Sequence, residues 1–378
     1  MGHRDTNGSE RVDHGPADTS EAVLGIDVGG TGVRLALAPA DRPETTLRSL
    51  RIPAPARITT GGQDATALLE RLLPALGDLL TPGTRIGAVA VGATGMALLG
   101  RELAAELPGP LARATGARRL VLASDAVSAY AGALGPRPGV VVAAGTGVVA
   151  LGLHPALSRA DGSERAQDHG AARGQQPPRA ADAATGTGGL ALPHPTATWR
   201  RADGWGQLLG DCGGGSWLGR AGLEAALRAV DGRTGGSPAL LTLAQDRYGP
   251  AAGLPAALQT RADRAGLLAA FAPDVATAAA RGCPVSAALI RRAGEEIAAT
   301  AAAAATGLRE PRIALTGGLF NLEALRAATL AALPPDARHH TPDGPPLLGA
   351  LRLAAAATTA TADSPWPVSP PLLDVRGL

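Results

Sequence analysis

The stretch Gly25-Ile26-Asp27-Val28-Gly29-Gly30-Thr31-Gly32 decides how the rest of the chain is read. A β-rich run precedes the glycines, and Val33-Arg34-Leu35-Ala36-Leu37-Ala38 alternates again after them, so Ala22–Ala38 reads as strand, glycine turn, strand. A dinucleotide fingerprint needs a helix to open at the glycines, with its N-terminus on a pyrophosphate, and the strand-like continuation speaks against that. A Walker A loop needs Gly-Lys-Ser/Thr, and the sequence contains no lysine. Two readings remain. One is an ordinary glycine hairpin. The other is a phosphate hairpin, in which Gly29 and Gly30 let backbone N–H groups approach phosphate oxygens and Thr31 adds a hydroxyl. In the second reading Asp27, just before the turn, is suited to hydrated Mg²⁺, which prefers oxygen ligands and keeps several waters.

The same device recurs at Gly139–Leu153, where a valine-rich strand, the turn Gly145-Thr146-Gly147 and a second strand follow one another. A tight turn accounts for either motif alone. Two glycine-turned hairpins in one chain form a weak internal repeat, the pattern of a fold built from two related lobes, and a second phosphate clamp facing the first would close on a nucleotide.

Further elements follow from periodicity. Ala65–Leu80 has helical spacing, and Ile86–Val91 is a strand that leads into the turn Gly92-Ala93-Thr94-Gly95. Leu120–Ala123 is a short buried strand ending at Ser124-Asp125, before a small-residue helix at Ala126–Leu134. An Asp at the end of a buried strand faces the crevice of an open α/β sheet. Asp125 therefore reads either as the helix N-cap or as a general base that takes the proton of an attacking hydroxyl. Asp203–Ser216 is glycine-dense. Gly204 and Gly206 would allow close approach to a sugar ring and Asp211 could accept from two hydroxyls; otherwise this is a glycine loop around a core Trp205. Leu315-Thr316-Gly317-Gly318-Leu319 reads as a strand–helix junction where adenosine could lie on the glycines, or as a simple turn. Helices are expected at about Trp217–Val230, through Gly236–Gly307, from near Asn321, and at Leu347–Ala357.

Composition narrows the function classes. A formal net charge of +2 with scattered arginines, and 2% aromatics, gives neither the basic face nor the stacking platform of a nucleic-acid binder. The absence of lysine excludes a Schiff base and a protein-kinase strand lysine; with abundant Ala and Gly it looks like the imprint of a GC-rich genome. Cys212 and Cys283 lie far apart and read as reduced thiols of a cytoplasmic protein. Residues 1–20 are a polar, disordered leader without the apolar centre of a signal peptide. No run is long and clean enough to span a membrane. His154–Arg200 reads as a mostly disordered insertion and the proline-rich end from Ser364 as irregular.

Five motifs thus stand in a fixed order: IDVGGTG, SDA, AAGTG, GWGQLLGD and LTGGLF. The set resembles the N-acetylglucosamine kinases of the BadF/BadG/BcrA/BcrD ATPase superfamily, over Val23 to about Ala357. The resemblance implies an α/β fold of two actin-like (ribonuclease H-like) lobes, as in the actin/hexokinase/Hsp70-like ATPases, with ATP and Mg²⁺ in the cleft. It implies a first lobe at 21–125 completed by a C-terminal helix at 346–358, a second lobe at 126–345 with the insertion at about 155–200, and an irregular tail at 359–378. Carried over by position, Asp27 would organise the metal. Gly29, Gly30 and Thr31, with Gly145, Thr146 and Gly147, would hold phosphates, and Gly317 and Gly318 would meet adenosine. Asp125 would be the catalytic base. Thr94, Asp125, Gly204, Trp205, Gly206 and Asp211 would line the sugar site. The implied reaction is phosphorylation of an amino sugar, at O6 of N-acetylglucosamine, by a cytoplasmic enzyme with no nucleic-acid or membrane partner and with room for a homodimer.

The sequence also departs from that family. Its Asp-Glu-Gly-Ser is here Asp211-Cys212-Gly213-Gly214, its Ser after Gly-Thr-Gly is Val148, and its sugar-binding Asn has no counterpart, Ile52–Gly62 offering Thr59 and Thr60 instead. The alternatives are an activating ATPase of the 2-hydroxyacyl-CoA dehydratase type, which needs cysteines for a bridging iron–sulfur cluster, and a non-catalytic sugar or nucleotide sensor, against which the pair Asp27 and Asp125 argues.

Overall fold

Two sheets with the same plan carry the molecule. The computed structural model describes residues 21–29, 32–53, 58–59, 62–94, 101–155, 197–259, 261, 263–359 and 364–378. The leader, Gly30, Thr31, Thr60 and the insertion between 156 and 196 lie outside the described residues. The strands are β1 (Ala22–Gly29), β2 (Gly32–Pro39), β3 (Arg48–Ile52), β4 (Ile58–Thr59), β5 (Gly62–Gln63), β6 (Ile86–Ala93), β7 (Arg119–Ser124), β8 (Gly139–Ala144), β9 (Val148–Pro155), β10 (Ala197–Asp203), β11 (Arg312–Thr316), β12 (Arg338–His340) and β13 (Leu373–Gly377). The α-helices are α1 (Ala65–Leu79), α2 (Arg101–Glu106), α3 (Pro108–Thr115), α4 (Asp125–Leu134), α5 (Gly215–Val230), α6 (Pro238–Tyr248), α7 (Leu254–Gln259), α8 (Arg264–Ala269), α9 (Ala272–Ala280), α10 (Pro284–Ala305), α11 (Glu323–Ala332) and α12 (Pro346–Thr358).

The first sheet has the order β13-β7-β6-β1-β2-β3 and the second β10-β9-β8-β11-β12. In each, a three-strand antiparallel meander (β1-β2-β3, β8-β9-β10) is extended on the side of its first strand by two parallel strands (β6 and β7, β11 and β12). The weak repeat seen in the sequence is thus a repeat of topology, and the mixed α/β fold with two actin-like lobes is as the resemblance implied.

The burial pattern follows strand position. β1 is buried along its length except at its last residue, and β6 throughout, as befits central strands covered on both faces. β3, at the edge, alternates between half-buried and exposed. Val23, Leu24, Ile26 and Val28 are each 0% exposed, and full burial of such a side chain stabilises by about 1.5–3 kcal/mol. One core, with Leu72, Leu76 and Leu111, fills the outer side of the first sheet. A second, with Phe271, Ile290 and Ile297, fills that of the second sheet. The third lies between the sheets and joins Val23 and Val121 of one to Val141 and Ala314 of the other through Tyr130 on α4 and Leu351 on α12. There α4 and α12 cross with almost no space between backbones, since a Cβ on Gly349 would collide with the Ser128 carbonyl.

Two expectations are corrected. The tail is not irregular throughout: β13 pairs antiparallel with β7, and Trp366 is buried. The insertion also ends earlier than expected, because Ala197–Arg200 open β10, which pairs with β9. The corrections share a cause. Trp199 of β10 stacks on Trp366 with centroids 6.3 Å apart and planes 12° from parallel, meets Tyr130 edge-on at 5.2 Å, and donates from Nε1 to the Pro367 carbonyl at 2.8 Å. Each segment is short and flanked by polar or proline-rich sequence; its partner is remote, so local pattern does not reveal it. No helix among the described residues is long and apolar enough to cross a membrane.

Candidate active site

The first lobe supplies the carboxylates. Parallel pairing places Asp27 of β1 beside Gly92 of β6, and Gly92 beside Ala123 of β7, so the C-terminal ends of the three strands form one row. Thr94 follows β6 and Asp125 follows β7. Thr94 donates its backbone N–H to the Val28 carbonyl at 3.1 Å and its hydroxyl to Asp125 Oδ2 at 2.9 Å. The Thr94 hydroxyl and the Ala126 N–H, 2.9 Å from Oδ1, thus both point at the Asp125 carboxylate. Burial nevertheless raises the Asp125 pKa above its ordinary value, those two donors only opposing the shift. Asp27 is 6% exposed and is raised as well, first by burial and further by the charge of Asp125, while Arg34 acts the other way. Arg34 reaches it across the hairpin, Nη1 to Oδ2 at 3.2 Å.

The N-cap reading of Asp125 is settled. Ser124 caps α4, its hydroxyl accepting from the Val127 N–H at 3.3 Å. Asp125 is the first helical residue, and its carboxylate is not needed for the cap.

The second lobe supplies turns. At the end of β8, Gly145 donates to the Gly147 carbonyl at 2.9 Å, closing Gly145-Thr146-Gly147. The first amides of α5 hold this turn from behind: Gly215 donates to the Gly145 carbonyl at 2.9 Å and Ser216 to that of Thr146 at 2.8 Å. Gly145 and Thr146 are exposed. Next to them, at the end of β11, Gly317 and Gly318 are also exposed. Gly317 has φ 103° and lies against the Ala144 carbonyl, a position closed to other residues by both conformation and space. Both turns thus open at the C-terminal edge of the second sheet. Chain direction brings this edge to Asp125: α4 runs about 15 Å away from it, and β8 runs about 20 Å back, packed along α4.

The glycine–tryptophan loop joins this turn. Asp203, at φ 57°, accepts the N–H groups of Asp211 at 2.7 Å and Cys212 at 3.0 Å, closing Gly204–Gly210 at its neck. The Asp211 carboxylate lies against Gly147, where a Cβ would meet it. Burial, and then the charge of Asp203, raise its pKa. Asp211 therefore packs the loop against the Gly145–Gly147 turn, a contact that the two-hydroxyl reading did not include. Trp205 is not a core residue: it is 64% exposed, with the Arg201 guanidinium 4.5 Å from the centre of its ring. Arg201 Nη2 and Gln207 Oε1 are buried without partners, a condition that costs about 1–3 kcal/mol for each such group.

Of the expected site residues, the structure brings Asp27, Thr94 and Asp125 together in one lobe and Gly145, Thr146, Gly147, Asp211, Gly317 and Gly318 in the other. Gly29 closes β1 as its last residue, and Gly204 packs on Val149. Gly206 lies in open space. Gly30 and Thr31 fall outside the described residues. Sequence reading missed Asp203 and Arg34. An Asp ahead of a glycine turn is a usual anchor for backbone N–H groups, and Asp27 and Arg34 lie equally far from the turn, so both signals were present.

For Mg²⁺ the residues fit. The ion is held by one or two carboxylates together with substrate phosphates, and Asp27 and Asp125 are two buried carboxylates at the ends of strands in one sheet, Asp27 keeping one contact with Arg34.

Residues 171–346 match the BadF/BadG/BcrA/BcrD ATPase family. No curated protein sequence matches the chain. Among solved structures, a protein of Chromobacterium violaceum provisionally named an N-acetylglucosamine kinase is 27% identical, with a TM-score of 0.63 over 89% of this chain and 100% of its own. A Porphyromonas gingivalis protein with the same provisional name is 15% identical, with a TM-score of 0.59 over 89% of this chain and 98% of its own. The motifs, the family match and the fold therefore agree, and the chain is similar to the BadF/BadG/BcrA/BcrD ATPases in sequence over 171–346 and to proteins provisionally named N-acetylglucosamine kinases in fold over nearly nine-tenths of its length.

Proposed function

We propose that the protein transfers the γ-phosphoryl group of ATP to a hydroxyl of an amino sugar, O6 of N-acetylglucosamine being the favoured acceptor. What supports this reading is a pair of clusters at the C-terminal ends of strands: Asp27 and Asp125 in the first lobe, two exposed glycine turns in the second. Asp125 is the general base. Its raised pKa makes it a better proton acceptor near neutrality than an ordinary Asp, and the Thr94 hydroxyl aims it. As the sugar oxygen bonds to the γ-phosphorus, the bond from that phosphorus to the bridging oxygen breaks, ADP leaves with the bond's electron pair, and the hydroxyl proton passes to Asp125. The N–H groups and the Thr146 hydroxyl of the second-lobe turn hold phosphate oxygens, and Gly317 and Gly318 leave room for the adenosine. Asp27 would hold Mg²⁺, which neutralises charge on the phosphates.

Such transfer depends on positioning, which suits a site whose parts stand on two sheets joined through α4 and α12. A coupled assay of ADP release over amino sugars and hexoses tests the reading. N-acetylglucosamine is expected to be among the best acceptors; turnover of a polyol with none of any sugar would overturn the assignment.

A further inference from the structure

Between β10 and Asp211 the loop is arranged against ordinary preference. Trp205, Leu208 and Leu209 face solvent, 64%, 79% and 88% exposed, while Arg201 Nη2 and Gln207 Oε1 are buried and unpaired. Apolar groups normally lie inside and buried polar groups are normally bonded. Both faults are relieved together if the loop folds over a ligand that offers an acceptor to Arg201, a donor to Gln207 and an apolar face to Trp205. The chain permits that movement. The neck is fixed by Asp203 on the amides of Asp211 and Cys212 and by Asp211 on the turn at Gly147. Inside it, Gly204 at φ 76° and Gly206 at φ 86° occupy conformations from which glycine alone swings freely.

Few groups meet all three demands. An ammonium would satisfy Gln207 but repel Arg201. A carboxylate would satisfy Arg201 but set an acceptor against Gln207. A hydroxyl has one hydrogen to give and no apolar part. A secondary amide offers a carbonyl oxygen, an N–H and, in an acetyl group, a methyl.

We propose that Arg201 and Gln207 are specificity-determining residues that read the acylamino group of the acceptor as the Gly204–Gly210 loop closes. The proposal rests on the sugar-kinase reading and adds the side chains that select among sugars. It is tested by steady-state kinetics on N-acetylglucosamine, glucosamine and glucose for the wild type, Gln207→Leu and Arg201→Met, the last keeping the stem beside Trp205. For each variant, kcat/KM on N-acetylglucosamine should fall about 10–100-fold, with changes of less than about 3-fold on the other two sugars. Acrylamide quenching of tryptophan fluorescence, with Trp205→Phe to assign the signal, should show protection by N-acetylglucosamine and none by glucose. Equal losses on all three sugars, or an unchanged preference in either variant, would overturn this assignment alone. A wild-type protein that phosphorylates no sugar would overturn the kinase reading and this proposal with it.

Discussion

The two lobes use one topology for opposite purposes. Two residues before the last pair of each hairpin, the first lobe has Asp27 opposite Arg34 and the second has Val142 opposite Ala150. At the end of the next strand outward, the first lobe has Thr94 bonded to a carboxylate, and the second has Gly317 pressed on a backbone carbonyl. In the proposed mechanism one wall thus acts through side-chain charge and the other through backbone N–H groups that glycine leaves uncovered. A charged wall concentrates its function in single atoms. A backbone wall spreads it over several N–H groups, and is best disturbed by adding bulk.

Asp125→Asn should produce the largest effect. Loss of a general base costs about 10²–10⁴ in rate, so kcat should fall by that factor while nucleotide affinity stays close to normal. The fold should not suffer, because Ser124 keeps the helix cap and burial already disfavours the charge. Calorimetry should show an equal or higher melting temperature; near-normal kcat in the folded variant would remove the contrast between the walls. The pH profile sharpens the point. A base works only when deprotonated, so kcat/KM should be lost as pH falls, with a midpoint above the ordinary 3.8 of an Asp. The same raised pKa means that this group favours the fold when protonated and that its contribution to stability is lost as pH rises through it.

Gly147→Val tests the backbone wall. The added side chain must displace the Asp211 carboxylate, which lies where its Cβ would go. The turn must shift to make room, so KM for ATP should rise roughly 10-fold, about 1.4 kcal/mol of binding, with a smaller change in kcat at saturation. A larger loss in kcat than in KM would mean that this wall also takes part in the chemical step.

The smallest expected effect is that of Asp203→Ala. It removes the acceptor of two amides, and thermal or urea unfolding should show a loss of about 1–3 kcal/mol. An unchanged unfolding midpoint would show that the neck of the loop is held without it.

What the sequence revealed follows the same division. The hairpins were legible because glycines interrupt β-rich runs, and Asp125 because a short apolar strand ends on it. The Asp203 clasp left a sign that went unread, an Asp ahead of a glycine turn; the place of Asp211 left none, because it lies against the backbone of Gly147, remote in sequence. β10 and β13 were hidden because the contact beside both, Trp199 on Trp366, joins residues remote in sequence, and neither short segment shows its period against the polar and proline-rich residues around it.

The strand at Leu373–Gly377 has a consequence for how the protein is made. It covers the outer edge of β7, the strand that delivers Asp125. During synthesis that edge stays open while the entire second lobe leaves the ribosome. The first lobe begins to emerge before the second and is completed after it, so the edge beside Asp125 is covered only once translation has passed residue 377.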